Sequence, residues 1–167
     1  MFNIYSHQIT TALSFGITSG VITALGMIIG LDAATSSKLA VIAGIVVVAV
    51  ADGLSDATAI HIAEESEIEE GKTKHTHKEV WLTTIFTFIF ECSVRLTFTV
   101  PILLLPLNQA VWVCIGWGLL ILTVLNFYTA KIKNESPLYL ICGHLSLVLF
   151  VMAVSFLLGK LLSFFFQ

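Results

Sequence analysis

From Ile9 to Leu31 the chain runs without a single charged residue. A bilayer core of roughly 30 Å takes about 20 apolar residues in a helix, so this one segment already allows a membrane span. Four more apolar runs follow: Leu39–Ala63, Val80–Pro106, Ala110–Ala130 and Leu138–Phe166. Spanning strands would show about 9–11 residues of alternating polarity, which these runs do not. The sequence therefore predicts an all-α integral membrane protein with five transmembrane helices over 9–31, 39–63, 80–106, 110–130 and 138–166. The fifth is longer than needed, which implies tilt or a projecting end.

Composition agrees: 57% of the residues are hydrophobic and 11% charged, against about 25% charged in a soluble domain. A net charge of −3 gives no reason to expect a nucleic-acid partner. Cys92, Cys114 and Cys142 lie far apart inside apolar runs, where thiols act as small hydrophobes rather than metal ligands. Met1–Gln8 lacks the positive region of a cleavable signal, so the chain is expected to be intact from Met1.

The connections are short: Asp32–Lys38, Glu64–Glu79, Leu107–Gln109 and Lys131–Pro137. Only loop two, 64–79, acidic and histidine-containing, has room for chemistry. Loops two and four carry Lys72, Lys74, Lys78, Lys131 and Lys133, whereas the opposite side has Lys38 and Lys160. The positive-inside rule then puts the N-terminus and loop two in the cytoplasm, the cell membrane being the expected location. In the first span Ala12, Gly16, Gly20 and Ala24 recur every fourth position, with Gly26 and Gly30 beyond them. Such a ladder lets helices approach closely in lipid. It serves either packing within one subunit or a homodimer interface.

Charges inside the spans are the informative residues, because each costs about 2.5–3.5 kcal/mol at the bilayer centre. Asp52 and Asp56 share one face of the second span, one turn apart; Glu91 and Arg95 repeat that spacing on the third. Glu91 and Arg95 are expected to form a structural ion pair. The aspartates then leave two negative charges, which one divalent cation would balance; the alternative is that burial keeps both protonated. At about 100° per residue, Asp52, Asp56, Glu67 and Glu70 fall within roughly 60° of one another. A second helix continuing beyond the membrane would thus carry an acidic stripe into water, widened by Glu64, Glu65 and Glu69. The expected metal-binding set is Asp52, Asp56, Glu64, Glu67, Glu70 and Glu91. Carboxylates suit hard divalent ions, and imidazoles from His61, His75, His77 or His144 would shift preference toward iron, manganese or zinc.

Enzymatic readings fit poorly. Intramembrane aspartyl proteases place their aspartates on facing helices, one after Gly-x-Gly, but here both share a helix and Asp52 follows Val50-Ala51. The run Asp52-Gly53-Leu54-Ser55-Asp56-Ala57 lacks the four-aspartate ladder of CDP-alcohol phosphotransferases, and no nucleophile is paired with a base.

The segment Gly16-Ile17-Thr18-Ser19-Gly20-Val21, with Gly26 and Gly30, Ala43-Gly44 and Ser66-Glu67, resembles the vacuolar iron transporter family. Val100-Pro101, Leu104-Leu105-Pro106, Gly143 and Gly159 continue the resemblance over nearly the whole chain. It implies transport of ferrous iron and manganese in exchange for protons, by dimers whose first two spans line the pathway. The chain departs from the family at several points. Ser19-Gly20 stands where the family usually has Asp-Gly, and Ser55-Asp56 where it has a Ser-Met pair. Val48 occupies the position of a glutamate, and the large domain between spans two and three shrinks to 64–79. The chain looks like a compact, diverged, prokaryote-like member. The leading expectation is a proton-coupled transporter of divalent cations, iron or manganese being substrate and no cofactor being permanently bound. The alternatives are a non-transporting metal sensor or assembly protein, and a transporter of an organic cation.

Overall fold

The computed structural model describes residues 6–69 and 72–166. The chain is all-α apart from a two-residue ladder: α1 Ser6–Thr35, α2 Lys38–Ser66, β1 Ile68–Glu69, β2 Lys72–Thr73, α3 His77–Thr97, α4 Thr99–Leu104, α5 Leu107–Lys133 and α6 Pro137–Phe166. Among the described residues five segments are long and apolar enough to cross a membrane, the third being α3 and α4 together, His77–Leu104. All five expected spans are present, most with an extra turn or less at each end.

Local chemistry sets the ends. Ser37 caps α2 by accepting from the Ala40 N–H. Thr76 and Glu79 form a reciprocal capping box at the start of α3. Asn134 closes α5 in the left-handed conformation, φ 54°, which asparagine tolerates better than most residues. Pro137 opens α6, where a missing N–H costs nothing. The third span breaks at Phe98 because Pro101 has no N–H for the Thr97 carbonyl and its ring crowds that oxygen. The Lys38 ammonium donates to the carbonyls of Leu103 and Leu105 at 3.0 and 3.1 Å, closing the far end of α4.

α1 is the central helix and packs on α2, α3, α5 and α6. It runs parallel to α3 and α6: Gly16 lies on Thr87 and Glu91, Gly20 on Val94, Gly26 on Val151, and Gly30 on Ser155. A Cβ on Gly16 would come 2.9 Å from the Thr87 carbonyl, and one on Gly26 2.9 Å from Val151. Ala12 and Ala24 are fully buried. The ladder therefore packs within the chain, the first of the two uses the sequence allowed: α3 and α6 occupy its faces. Below it Val21, Leu25, Ile28, Val41, Ile45, Phe98, Ile102 and Leu122 form the apolar core.

Candidate cation site

Three helices bring their polar residues together near mid-length. Asp52 is the central residue of α2, Glu91 lies near the middle of the third span, and Ser19 near the middle of α1. α2 runs antiparallel to α3, so Asp56 sits beside Glu91, Asp52 beside Arg95, and Glu64 beside Thr83. Asp52, Asp56 and Glu91 each offer an oxygen within 4.8 Å of the other two.

The Arg95 guanidinium organises this cluster. Its Nη2 donates to Glu91 Oε1 at 2.5 Å and to Asp52 Oδ2, and its Nη1 donates to the Val48 carbonyl at 2.9 Å. Side chains of Glu91 and Arg95 are essentially fully buried, whereas that of Asp52 is 36% exposed at the α2–α3 seam. The ion pair expected within α3 is thus shared across two helices. Arg95 also reaches Asp52, because α2 and α3 pack antiparallel with Asp52 opposite it.

Ser19 was read only as the loss of a family aspartate, yet it belongs to the site. Its hydroxyl lies 2.5 Å from Asp56 Oδ2 and 3.2 Å from Glu91 Oε1 as donor. A hydroxyl carries one hydrogen and rotates to place it, so Ser19 serves one carboxylate or the other. The signal was available: the family resemblance set Ser19-Gly20 against an Asp-Gly pair. Glu91 Oε2 is buried and has no hydrogen-bond partner among the described residues, as has Arg95 Nε. A buried carboxylate oxygen without a donor is exceptional in folded proteins. Here it stands beside two further carboxylates.

The other expected ligands lie elsewhere. Glu64 is buried near the end of α2 and accepts from Thr83 Oγ1 at 2.8 Å. Two helical turns separate it from Asp56, about 12 Å at 1.5 Å per residue. The acidic stripe stops there, which corrects the expectation of a helix continuing through Glu70. The backbone turns extended at Glu67, with φ −69° and ψ 120°, and enters the hairpin. Glu67 pairs instead with Lys74 at 2.7 Å and faces His75 at 3.4 Å. The hydrogen bond from Lys74 and its charge hold the Glu67 carboxyl below the usual range. Glu70 lies outside the described residues.

No histidine joins the cluster among the described residues. His61 Nδ1 lies 2.8 Å from Thr84 Oγ1 with its ring edge-on to Trp81, His75 stacks near His7, and His77 is exposed. Cys92 donates to the Ala49 carbonyl and Cys114 packs against Phe98, as small buried side chains do. No protein-family model matches this chain, and no curated protein is significantly similar to it.

Proposed function

We propose that the chain is a membrane transporter of divalent metal cations, iron(II) or manganese(II), coupled to protons. The observation that carries this reading is the mid-span trio Asp52, Asp56 and Glu91, its oxygens within 4.8 Å and Glu91 Oε2 left without a donor. Three carboxylates against one guanidinium leave a formal deficit of two positive charges, which one divalent ion fills. Oxygen-only donors of this kind suit hard cations such as manganese(II). Proton coupling follows from competition, because a carboxylate must lose its proton to hold the metal. The resemblance to vacuolar iron transporters supports iron and manganese as the substrates. A homodimer, also implied by that resemblance, would use a surface other than the α1 ladder. Loop two does not favour the sensor reading, since Lys74 already neutralises Glu67.

In this reading Arg95 is the resident cation of the site. With α2 and α3 antiparallel, Arg95 and Asp52 lie one turn beyond Glu91 and Asp56, on the side away from loop two. An ion leaving in that direction must separate Arg95 from its carboxylates. The test is manganese(II) uptake into proteoliposomes. Asp52→Asn with Asp56→Asn should abolish uptake while the variant purifies as a folded species. A wild-type rate from that double variant would sink the reading.

A further inference from the structure

A second feature touches the same site from the other face of α1. A cavity of about 400 Å3 lies between α1, α5 and α6. Its polar lining is Ser14, Thr18 and Ser19 from α1, Asn126 and Thr129 from α5, and His144 from α6. All belong to the N-terminal half of α1, the C-terminal end of α5 or the first half of α6, so the cavity lies toward the side of loops two and four. Lys133, exposed near loop four, stands at its mouth.

α1 and α6 run parallel and close where Gly26 and Gly30 meet Val151 and Ser155, and where Gly159 meets the Gly30 carbonyl and Ala33. The cavity begins N-terminal to these contacts, where Ile22 of α1 and His144 of α6 are among its lining. Along α1 its lining runs from Ser14 to Ile22. At its inner end is Ser19. On the helix, Thr18 in the cavity and Gly20 against α3 flank Ser19 at about 100° on either side, and the Ser19 hydroxyl reaches Asp56 and Glu91.

Apart from the Lys133 ammonium, the polar groups can present acceptors. The Asn126 amide nitrogen donates to the Leu122 carbonyl at 2.7 Å, and its oxygen is an acceptor; the residue is 4% exposed. His144 Nδ1 lies 3.0 Å from the Leu140 carbonyl. A carbonyl only accepts, so Nδ1 carries the hydrogen; in the neutral ring Nε2 then has the lone pair. The hydroxyls of Ser14, Thr18 and Thr129 can each accept as well as donate. No carboxylate lines the cavity among the described residues. Neutral acceptors of this kind suit an ion that keeps its water and moves on, since conduction needs sites favourable enough to enter and weak enough to leave. One water takes about 30 Å3 in the liquid, so an ion with its hydration shell fits.

We infer that this cavity is the vestibule through which a hydrated divalent cation reaches the carboxylate cluster from the side of loops two and four, with Ser19 at its inner end. The inference rests on the divalent-cation reading of the cluster and adds the route and the side of access. It also assigns Thr18, Asn126, Thr129 and His144 to that route.

The test is thiol accessibility in the full chain, reconstituted after Cys92, Cys114 and Cys142 are replaced. Single cysteines are placed by Thr18→Cys, Thr129→Cys and His144→Cys, one on each wall, with Leu120→Cys on the exposed apolar surface as the control. A membrane-impermeant thiosulfonate reagent is applied to each side in turn, with and without manganese(II). The expected result is reaction at the three wall positions from the loop-two side alone, slowed by manganese(II), and none at position 120. Three positions on three helices guard against one variant that fails to fold. Wall cysteines that stay unreactive, or react from the opposite side, overturn the vestibule. Reaction that manganese(II) does not slow overturns its role as a cation path. Manganese(II) uptake by the cysteine-free parent is measured separately. Unreactive walls with uptake intact remove the vestibule and leave the proposed function standing; loss of uptake in the double aspartate test bears on that function alone.

Discussion

α1 and α6 are both thirty-residue helices long and apolar enough to cross a membrane, yet they behave oppositely. α1 is enclosed by four neighbours, and its small residues let α3 and α6 approach to backbone contact. On α6 only Val148 and Gly159 are buried, and Leu147, Phe150, Leu157 and Phe164 face outward. The difference lies in what each helix must hold. α1 covers a seam containing Glu91, Arg95 and Thr87, whose polar atoms would be costly against lipid. α6 covers no charged cluster among the described residues, so lipid can serve as most of its surroundings. In lipid, apolarity alone gives a helix no reason to go inside; small residues and polar groups do.

That contrast is sharpest at Arg95. Arg95→Gln leaves Asp52 and Glu91 facing each other without their cation, and breaking a buried pair on one side costs about 3–5 kcal/mol. Thermal unfolding in detergent should show the largest loss of any single change considered. Adding Glu91→Gln to Arg95→Gln should recover part of it, because the stranded charge goes too. A double variant no more stable than the single would mean that Arg95 acts by packing.

A smaller effect separates the ends of α6. Gly159→Ala drives a methyl into the Gly30 carbonyl and Ala33, and overpacking of this kind costs about 1–3 kcal/mol. Gly143→Ala meets open space and should leave the melting temperature unchanged or raise it. Equal melting temperatures would show that α1 and α6 are not held together at Gly159.

The weakest effect belongs to the hairpin, where a carboxylate meets a cation in water. Lys74→Ala should let the Glu67 pKa rise toward its ordinary value, read by NMR titration. Glu67's depressed pKa means that its pairing with Lys74 stabilises the hairpin above the usual carboxylate range and is lost as pH falls through the folded pKa. Both partners are about half exposed and screened by solvent, so the global melting temperature should not move. A clear drop would place the hairpin in the folding core.

The sequence by itself determined the class of fold and the residues worth asking about. Length and apolarity fix the five spans because a bilayer core sets the length and demands closed backbone hydrogen bonding. Asp52, Asp56, Glu91 and Arg95 announced themselves by their cost in that setting. What sequence periodicity could not decide was which residues meet across helices. It places Asp52 and Asp56 on one face of α2 and Glu91 and Arg95 on one face of α3, but says nothing of rotation or offset between them. Antiparallel packing of α2 on α3 gave Arg95 to Asp52, and parallel packing of α1 on α3 brought Ser19, an uncharged residue in the charge-free run Ile9–Leu31, to Glu91. The backbone turn at Glu67 ended the acidic stripe, since a helical-wheel angle holds only while the helix lasts. Tertiary structure also took the α1 ladder for contacts within the chain, because a close-packing surface in lipid goes to whichever helix the topology places beside it.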